Sequence, residues 1–333
     1  MKNILITGGS GFIGTNLINF LLQKNYRITN VDKFSKISTP EKFKIKSNHY
    51  KFCKFNISNN KKIQNILLKN FDTIIHLAAE SHVDRSIDEP KKFFLENVSS
   101  TLNFYDSIRK LVKEKKITKP KIIHISTDEV YGSVTKGFSN EKSKIYSSSP
   151  YSASKAASEN IAQFYMETFN LNISILRICN NYGPFQFPEK FIPKIILRIF
   201  RKKNIPLYGN GKNIREWLYV EDTCEAIYLL IKNFRNKKIF NIGSSERLTN
   251  KDVIVSIFKI CKYPKNKIIL VKDRPGHDLR YALDSSSFKK TFNWKPKNNF
   301  KQGINKTIFW YKKNHKWIHD ITKKYNDFRL GKI

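Results

Sequence analysis

The chain has 333 residues, 40% of them hydrophobic and 13% aromatic, enough apolar material for one large core or two modest ones, which excludes a wholly disordered chain. Its 62 Lys and Arg against 27 Asp and Glu leave a net charge of +35; the basic residues are mostly lysines scattered along the whole length, whereas a nucleic-acid footprint is a clustered, Arg-rich face, so nucleic-acid binding is discounted. No run approaches the roughly 18 apolar residues of a membrane span, no cleavage pattern follows the N-terminal apolar stretch, and Cys53, Cys179, Cys224 and Cys261 form no Cys-x-x-Cys pair, so a soluble cytoplasmic protein without a metal site is expected.

In chain order, the periodicity predicts a strand at 4–7, a helix at 12–22, strands at 28–31, 50–55 and 73–77, a helix at 93–112, a strand at 122–126, a helix at 153–169 and a strand at 173–177. Six strands with helical crossovers imply an α/β fold built on a Rossmann-type doubly wound parallel sheet. After Arg177 the rhythm changes: 180–188 is rich in Asn, Gly and Pro, a helix is expected at 192–200, and turn signals stand at Gly209 and Gly211. A helix at 217–231 and a strand at 239–242 then look like a return to the sheet. The expected division is a Rossmann domain over 1–178, rejoined by the chain around 217–245, and a smaller C-terminal substrate-binding domain over 179–333. From about Lys312 a solvated Lys-rich tail is expected, with Phe309, Trp310, Tyr311 and Trp317 packing together.

The first strand ends in Thr7-Gly8-Gly9-Ser10-Gly11-Phe12-Ile13-Gly14 and runs straight into a helix. One glycine permits the reversal, another lets a pyrophosphate reach the backbone, and the third lets helix and strand pack closely, with the helix N-terminus aimed at the anion. Asp32 closes the second strand, where a carboxylate hydrogen-bonds a ribose and repels a 2′-phosphate, so NAD is expected over NADP; Lys33 next door softens that preference.

Tyr151 and Lys155 stand four residues apart, on one face of a helix. A phenol has its pKa near 10, and bringing it into the neutral range takes roughly 4 kcal/mol of differential stabilisation, which an ammonium and an oxidised nicotinamide together supply. The fifth strand ends in Thr127-Asp128-Glu129, and ligands of open α/β sheets sit beyond the carboxyl ends of the strands. Elimination of water across adjacent carbons needs a base for one carbon and an acid for the neighbouring hydroxyl, and repulsion between two carboxyls keeps one of them protonated. His76 and His124 lie inside apolar strands and are expected as hydrogen-bonded core residues, and His82 as support for the cofactor crevice.

Taken with these, the segments 76–86, 124–132, 149–155, 180–184, 187–190, 215–222 and 273–278 resemble the extended short-chain dehydrogenase/reductase family over nearly the full length. Within its NAD-dependent epimerase/dehydratase group the likeness is to the dTDP-glucose 4,6-dehydratases, from which the sugar 4-epimerases differ by lacking the Asp128-Glu129 pair. The resemblance implies an NAD-dependent lyase acting on dTDP-glucose in deoxysugar biosynthesis, with C4 oxidised, water eliminated across C5 and C6, and hydride returned to C6. Tyr151 would take the C4 hydroxyl proton, assisted by Thr127 and Lys155, Glu129 would remove the C5 proton and Asp128 would protonate the leaving C6 hydroxyl. It further implies cofactor contacts from Gly8, Gly11, Phe12, Ile13, Gly14, Asp32, Lys33, Asn56, Ile57, Leu77, Ala78, Ala79, Ser81 and Asn181, besides Tyr151 and Lys155. Substrate contacts would come from Ser81, Thr127, Asn180, Glu189, Lys190, Pro206, Tyr208, Arg215, Asn250, Asp273, Arg274 and His277, Arg215 meeting the diphosphate with its planar fork. Pairing of the helices 93–112 and 153–169 with their copies would make a homodimer.

Two positions depart from the family. Asn56 stands where an aspartate usually meets the adenine amino group, leaving only an amide oxygen as acceptor, and at Glu96 the match to a cofactor-contacting threonine is lost. A UDP-glucose 4,6-dehydratase and a nucleotide-sugar 4-epimerase are the alternative activities; a nucleic-acid-associated protein on a borrowed dinucleotide fold is the alternative class.

Overall fold

The computed structural model describes residues 1–35, 38–41 and 46–322. The six runs marked by the sequence are strands β1 (Asn3–Thr7), β2 (Arg27–Asp32), β3 (Tyr50–Lys54), β4 (Thr73–His76), β5 (Lys121–Thr127) and β6 (Asn172–Ile178). They pair in parallel in the order β3-β2-β1-β4-β5-β6. Alternate residues face opposite sides of a strand: Ile4, Ile6, Ile75 and Ile123 enter one core, and Leu5, Ile74 and Ile122 enter another on the far face. Burial on both faces is why these strands read as unbroken apolar runs. This is the doubly wound Rossmann-type α/β sheet, and its order reverses between β1 and β4, where such sheets open a ligand crevice.

The second half supplies β7 (Asn180–Tyr182), β8 (Ile205–Tyr208), β9 (Ile214–Tyr219), β10 (Lys238–Ile242), β11 (Arg247–Thr249) and β12 (Ile268–Val271). β10 returns to the main sheet beside β6, β11-β9-β7 form a three-stranded sheet and β12 pairs with β8. A third core, with Tyr182, Ile196, Trp217, Ile254 and Trp317 at its centre, underlies these elements. Arg177 and Glu159 form an ion pair inside the Rossmann half, the guanidinium also reaching Tyr131 Oη at 2.5 Å. Deleting one partner of such a pair costs about 3–5 kcal/mol, because the other charge is left buried and alone.

The structure corrects three expectations. Residues 217–231 are not one helix: Trp217, Leu218 and Tyr219 complete β9, and the helix runs Val220–Lys232. β9 is buried along nearly its whole length, so no alternation distinguished it from the helix that follows. The helix expected over 93–112 is interrupted: Pro90–Phe94 and Ser100–Lys113 flank a wider π turn at Leu95–Ser99. There the buried Asn97 side chain accepts from Glu80 N at 2.7 Å and donates to Glu80 O at 3.0 Å, tying the turn to the loop after β4. The chain from Lys312 is not a solvated tail as far as Thr322. Helices Phe300–Lys313 and His315–Thr322 bury Tyr311, Trp317 and Ile321 and turn their lysines outward; emptying a Trp site of this kind costs about 3–5 kcal/mol. Phe309 alone of the expected aromatic cluster is exposed, beneath the Lys313 ammonium. The rest of the expected tail, 323–333, lies outside the described residues.

Candidate active site

A cleft of about 420 Å³ opens at the carboxyl ends of the central strands and extends beneath the second half of the chain. Every residue expected to meet cofactor or to do chemistry lines it. So do the expected substrate residues, except Asp273. Asp273 is exposed outside the lining and accepts from His277 Nδ1 at 2.6 Å. Burial and Arg274 pull His277 down to about 4; the neutral ring donates through Nδ1 and keeps Nε2 as an acceptor.

At one end lies the glycine turn. Gly8 has φ +74°, and a Cβ there would stand 2.6 Å from the Ala78 backbone; a Cβ on Gly14 would stand 2.5 Å from Gly9 Cα. Gly11 is the N-cap of helix Phe12–Gln23 and supplies no side-chain cap, so the first amides of the helix face the cleft unscreened. Asp32 is fixed by Ser10 N at 3.0 Å and Phe34 N at 2.7 Å. The residues fit a dinucleotide: a pyrophosphate cradle that only glycines permit, with a ribose-reading carboxylate beyond it. Lys33 is held by Glu80 at 2.8 Å and Glu96 at 3.1 Å; burial would lower this ammonium, but the two carboxylates outweigh it and raise its pKa. Lys33 lines the cleft with its ammonium shared between the two carboxylates. Asn56 also differs from expectation: its Oδ1 accepts from Ser58 N at 3.0 Å, and its Nδ2 donates to Glu96 at 3.2 Å.

At the centre, the end of β5 delivers Thr127, the 3-10 turn Asp128–Tyr131 that follows it delivers Asp128 and Glu129, and helix Pro150–Glu167 delivers Tyr151 and Lys155. That helix starts earlier than its apolar spacing indicated, because Ser149 and Ser152 form a reciprocal cap with Pro150 in the first turn. Lys155 Nζ donates to Ile125 O at 2.7 Å, and burial lowers its pKa to about 8. The Tyr151 phenol is raised by burial and by the Glu129 carboxyl, with the Thr127 hydroxyl opposing them. The protein's own groups therefore do not bring this phenol down, and the lowering expected from the sequence falls to a cation placed beside it. Both carboxyls are also raised by burial: Asp128 further by Glu129 and Glu216, while Arg274, Arg215 and Lys190 pull Glu129 back. Asp128 Oδ1 accepts from Thr127 at 3.2 Å, and its buried Oδ2 has no partner among the described residues.

At the far end, Arg215 donates to Asp278 O at 2.8 Å with its guanidinium 4.1 Å from the Tyr281 ring. Asp84 joins Arg274 at 2.8 Å to Tyr208 at 3.2 Å. Glu189 meets Arg85 at 3.0 Å, and Lys190 Nζ donates to Ser81 O at 2.5 Å. Arg274 Nε and Asn180 Oδ1 are buried without partners among the described residues, a donor and an acceptor poised for a polar ligand. Glu80, Asp84, Glu96 and Tyr281 also line the cleft, and sequence reasoning assigned them no contact; Asp84 stood inside a motif already noted, whereas Tyr281 follows one and carried no signal. His76 bonds Thr7 and Thr101, and His124 bonds Tyr105, inside the core as expected. His82 accepts from Arg85 N and caps the helix Val83–Asp88 at the cleft's edge.

Four findings place the chain among known proteins. The GDP-mannose 4,6 dehydratase family matches residues 5–307. A probable dTDP-glucose 4,6-dehydratase of Sinorhizobium fredii is 40% identical, with 98% of each chain covered. The crystal structure of the dTDP-glucose 4,6-dehydratase DesIV from Streptomyces venezuelae, with NAD bound, superposes with a TM-score of 0.89 at 33% identity, covering 95% of this chain and 98% of that one. The Bacillus anthracis dTDP-glucose 4,6-dehydratase in complex with NAD gives 0.87 at 35%, covering 96% and 100%. With a glycine cradle, a Tyr151–Lys155 pair and adjacent carboxyls in one cleft, this chain belongs to the GDP-mannose 4,6 dehydratase family, beside its dTDP-glucose 4,6-dehydratases.

Proposed function

We propose that the chain is an NAD-dependent hydro-lyase that converts dTDP-glucose to dTDP-4-keto-6-deoxyglucose. The observation that carries this reading is the unpartnered, buried Asp128 Oδ2 beside Glu129, in the same cleft as Tyr151. An epimerase has no elimination to perform and no use for a neutral carboxyl held at that point.

The glycine turn and Asp32 would hold NAD, which would supply the acceptor for the C4 hydride, its donor to C6 and, in its oxidised ring, a positive charge. Tyr151 takes the C4 hydroxyl proton, with Thr127 beside it and Lys155 adding charge of the required sign. Once C4 is a ketone the C5 proton is acidic, and Glu129, whose proton affinity three cationic neighbours restrain, removes it and gives it back to C5 when hydride reaches C6. Asp128, kept protonated by burial and by its carboxylate neighbours, gives its proton to the departing C6 hydroxyl. Arg215, Arg274, Lys190 and Asn180 hold the nucleoside diphosphate and the sugar, and a bidentate guanidinium suits the diphosphate. No helix among the described residues is long and apolar enough to cross a membrane, and the cysteines are unpaired; both support a cytoplasmic enzyme.

Self-association belongs to the same proposal. Phe94, Leu95, Leu102, Phe164 and Phe169 are each at least 40% exposed along the helical layer that carries Tyr151, and a second copy of the chain is the occupant proposed for that apolar face. Sedimentation at twice the 39.1 kDa mass is expected, and a monomer at micromolar concentration would refute it.

The double variant Asp128→Asn with Glu129→Gln is expected to bind NAD as the wild type does and to oxidise C4 without releasing water, accumulating reduced cofactor on mixing with dTDP-glucose. Tyr151→Phe is expected to show no reduced cofactor at all, and wild-type turnover in either would remove the role assignments. Lys155 is charged below about pH 8, so kcat/KM is expected to fall as pH rises through that value. Lys155→Arg, always charged, should move this alkaline limb upward; a limb that stays put would assign it to another group.

A further inference from the structure

Glu96 and Asn56 form a pair at the adenosine end of the cleft. Glu96 projects from the π turn, Asn56 follows β3, and both line the wall beyond Asp32. The amide is oriented by two contacts of opposite sense: its oxygen accepts from Ser58 N at 3.0 Å, and its nitrogen donates to Glu96 Oε2 at 3.2 Å. Reversing it would set a carbonyl against a carboxylate and an N–H₂ against an N–H. What the pair offers is therefore a carboxylate acceptor next to an amide donor, with one amide hydrogen already used. Ile57 and Ala78 provide apolar surface nearby. Lys33, bound to Glu96 Oε1 and anchored on Glu80, balances the Glu96 charge without occupying Oε2.

Adenine has apolar faces and one edge that sets an amino donor beside a ring-nitrogen acceptor. We propose that Asn56 and Glu96 together read this edge of the dinucleotide, Glu96 accepting from the amino group and the second Asn56 amide hydrogen going to the adjacent ring nitrogen. The inference rests on the NAD-dependent reading above and adds a base-recognition residue, Glu96. A hypoxanthine base replaces the amino group with a carbonyl oxygen, which would face the Glu96 carboxylate and be repelled, so the pair discriminates between the two bases. A purely structural Asn56–Glu96 contact would not.

The test is calorimetric titration of the full chain with NAD and with nicotinamide hypoxanthine dinucleotide. The wild type is expected to prefer NAD by about tenfold, the scale of one charge-assisted hydrogen bond. Glu96→Ala is expected to bring that preference within about twofold by weakening NAD alone, and Glu96→Gln, which keeps an acceptor oxygen, to retain a preference above that of the alanine variant. Equal affinities in the wild type, or an unchanged preference in Glu96→Ala, would overturn this inference and leave the proposed function standing. Failure of the wild type to bind either dinucleotide would overturn both.

Discussion

Two carboxyl groups on consecutive residues, enclosed at the end of a parallel strand, do not both hold a full charge. Asp128 and Glu129 are in that position, and their surroundings differ: burial raises both, Glu129 and Glu216 press further on Asp128, and Arg274, Arg215 and Lys190 restrain the rise at Glu129. On the proposed roles, this asymmetry makes Asp128 the acid and Glu129 the base. The three cations that favour charge on Glu129 also line the end of the cleft proposed for the nucleoside diphosphate, so an anion bound there would act on the proton affinity of Glu129 through the same groups.

The sheet makes this arrangement possible by burying what it positions. β5 carries the acids out of two apolar layers, and the capped helix beside it places Tyr151 and Lys155 in the same wall. Burial has an opposite effect on each of them, raising the phenol and lowering the ammonium. Neither is thereby set for proton abstraction by the protein alone. The glycine cradle lies at the other end of the same cleft, and the positive charge that the phenol needs enters with the group for which that cradle is shaped. If Tyr151 acts as the proposed base, cofactor binding and its activation are one event.

Much of this was legible in the sequence because the chemistry is carried by short contiguous segments at strand ends. The turn from Thr7 to Gly14, the run Thr127 to Glu129 and the Tyr151–Lys155 spacing each declare a local geometry that needs no tertiary information. What was not legible depends on contacts between distant segments. β9 looked like the start of a helix because burial on both faces erased its alternation. The π turn exists where Asn97 bonds the Glu80 backbone, a partner that its own periodicity does not reveal. Two misses were local: the Asp273 carboxylate accepts from His277 and Arg274 N, and the Asn56 oxygen from Ser58 N, side-chain orientations that no periodicity encodes. The Lys-rich end of the chain hid an amphipathic helix because its charge count outweighed three buried apolar side chains.

The central claim is that hydride leaves one carbon of a hexose and returns to another after water has gone between the two events. It is tested most directly by giving the enzyme dTDP-glucose deuterated at C4 and locating the label in the product by mass and NMR. Deuterium is expected at C6 of a 4-keto-6-deoxy sugar that has lost one water. Deuterium still at C4, with the substrate's mass unchanged, would contradict it.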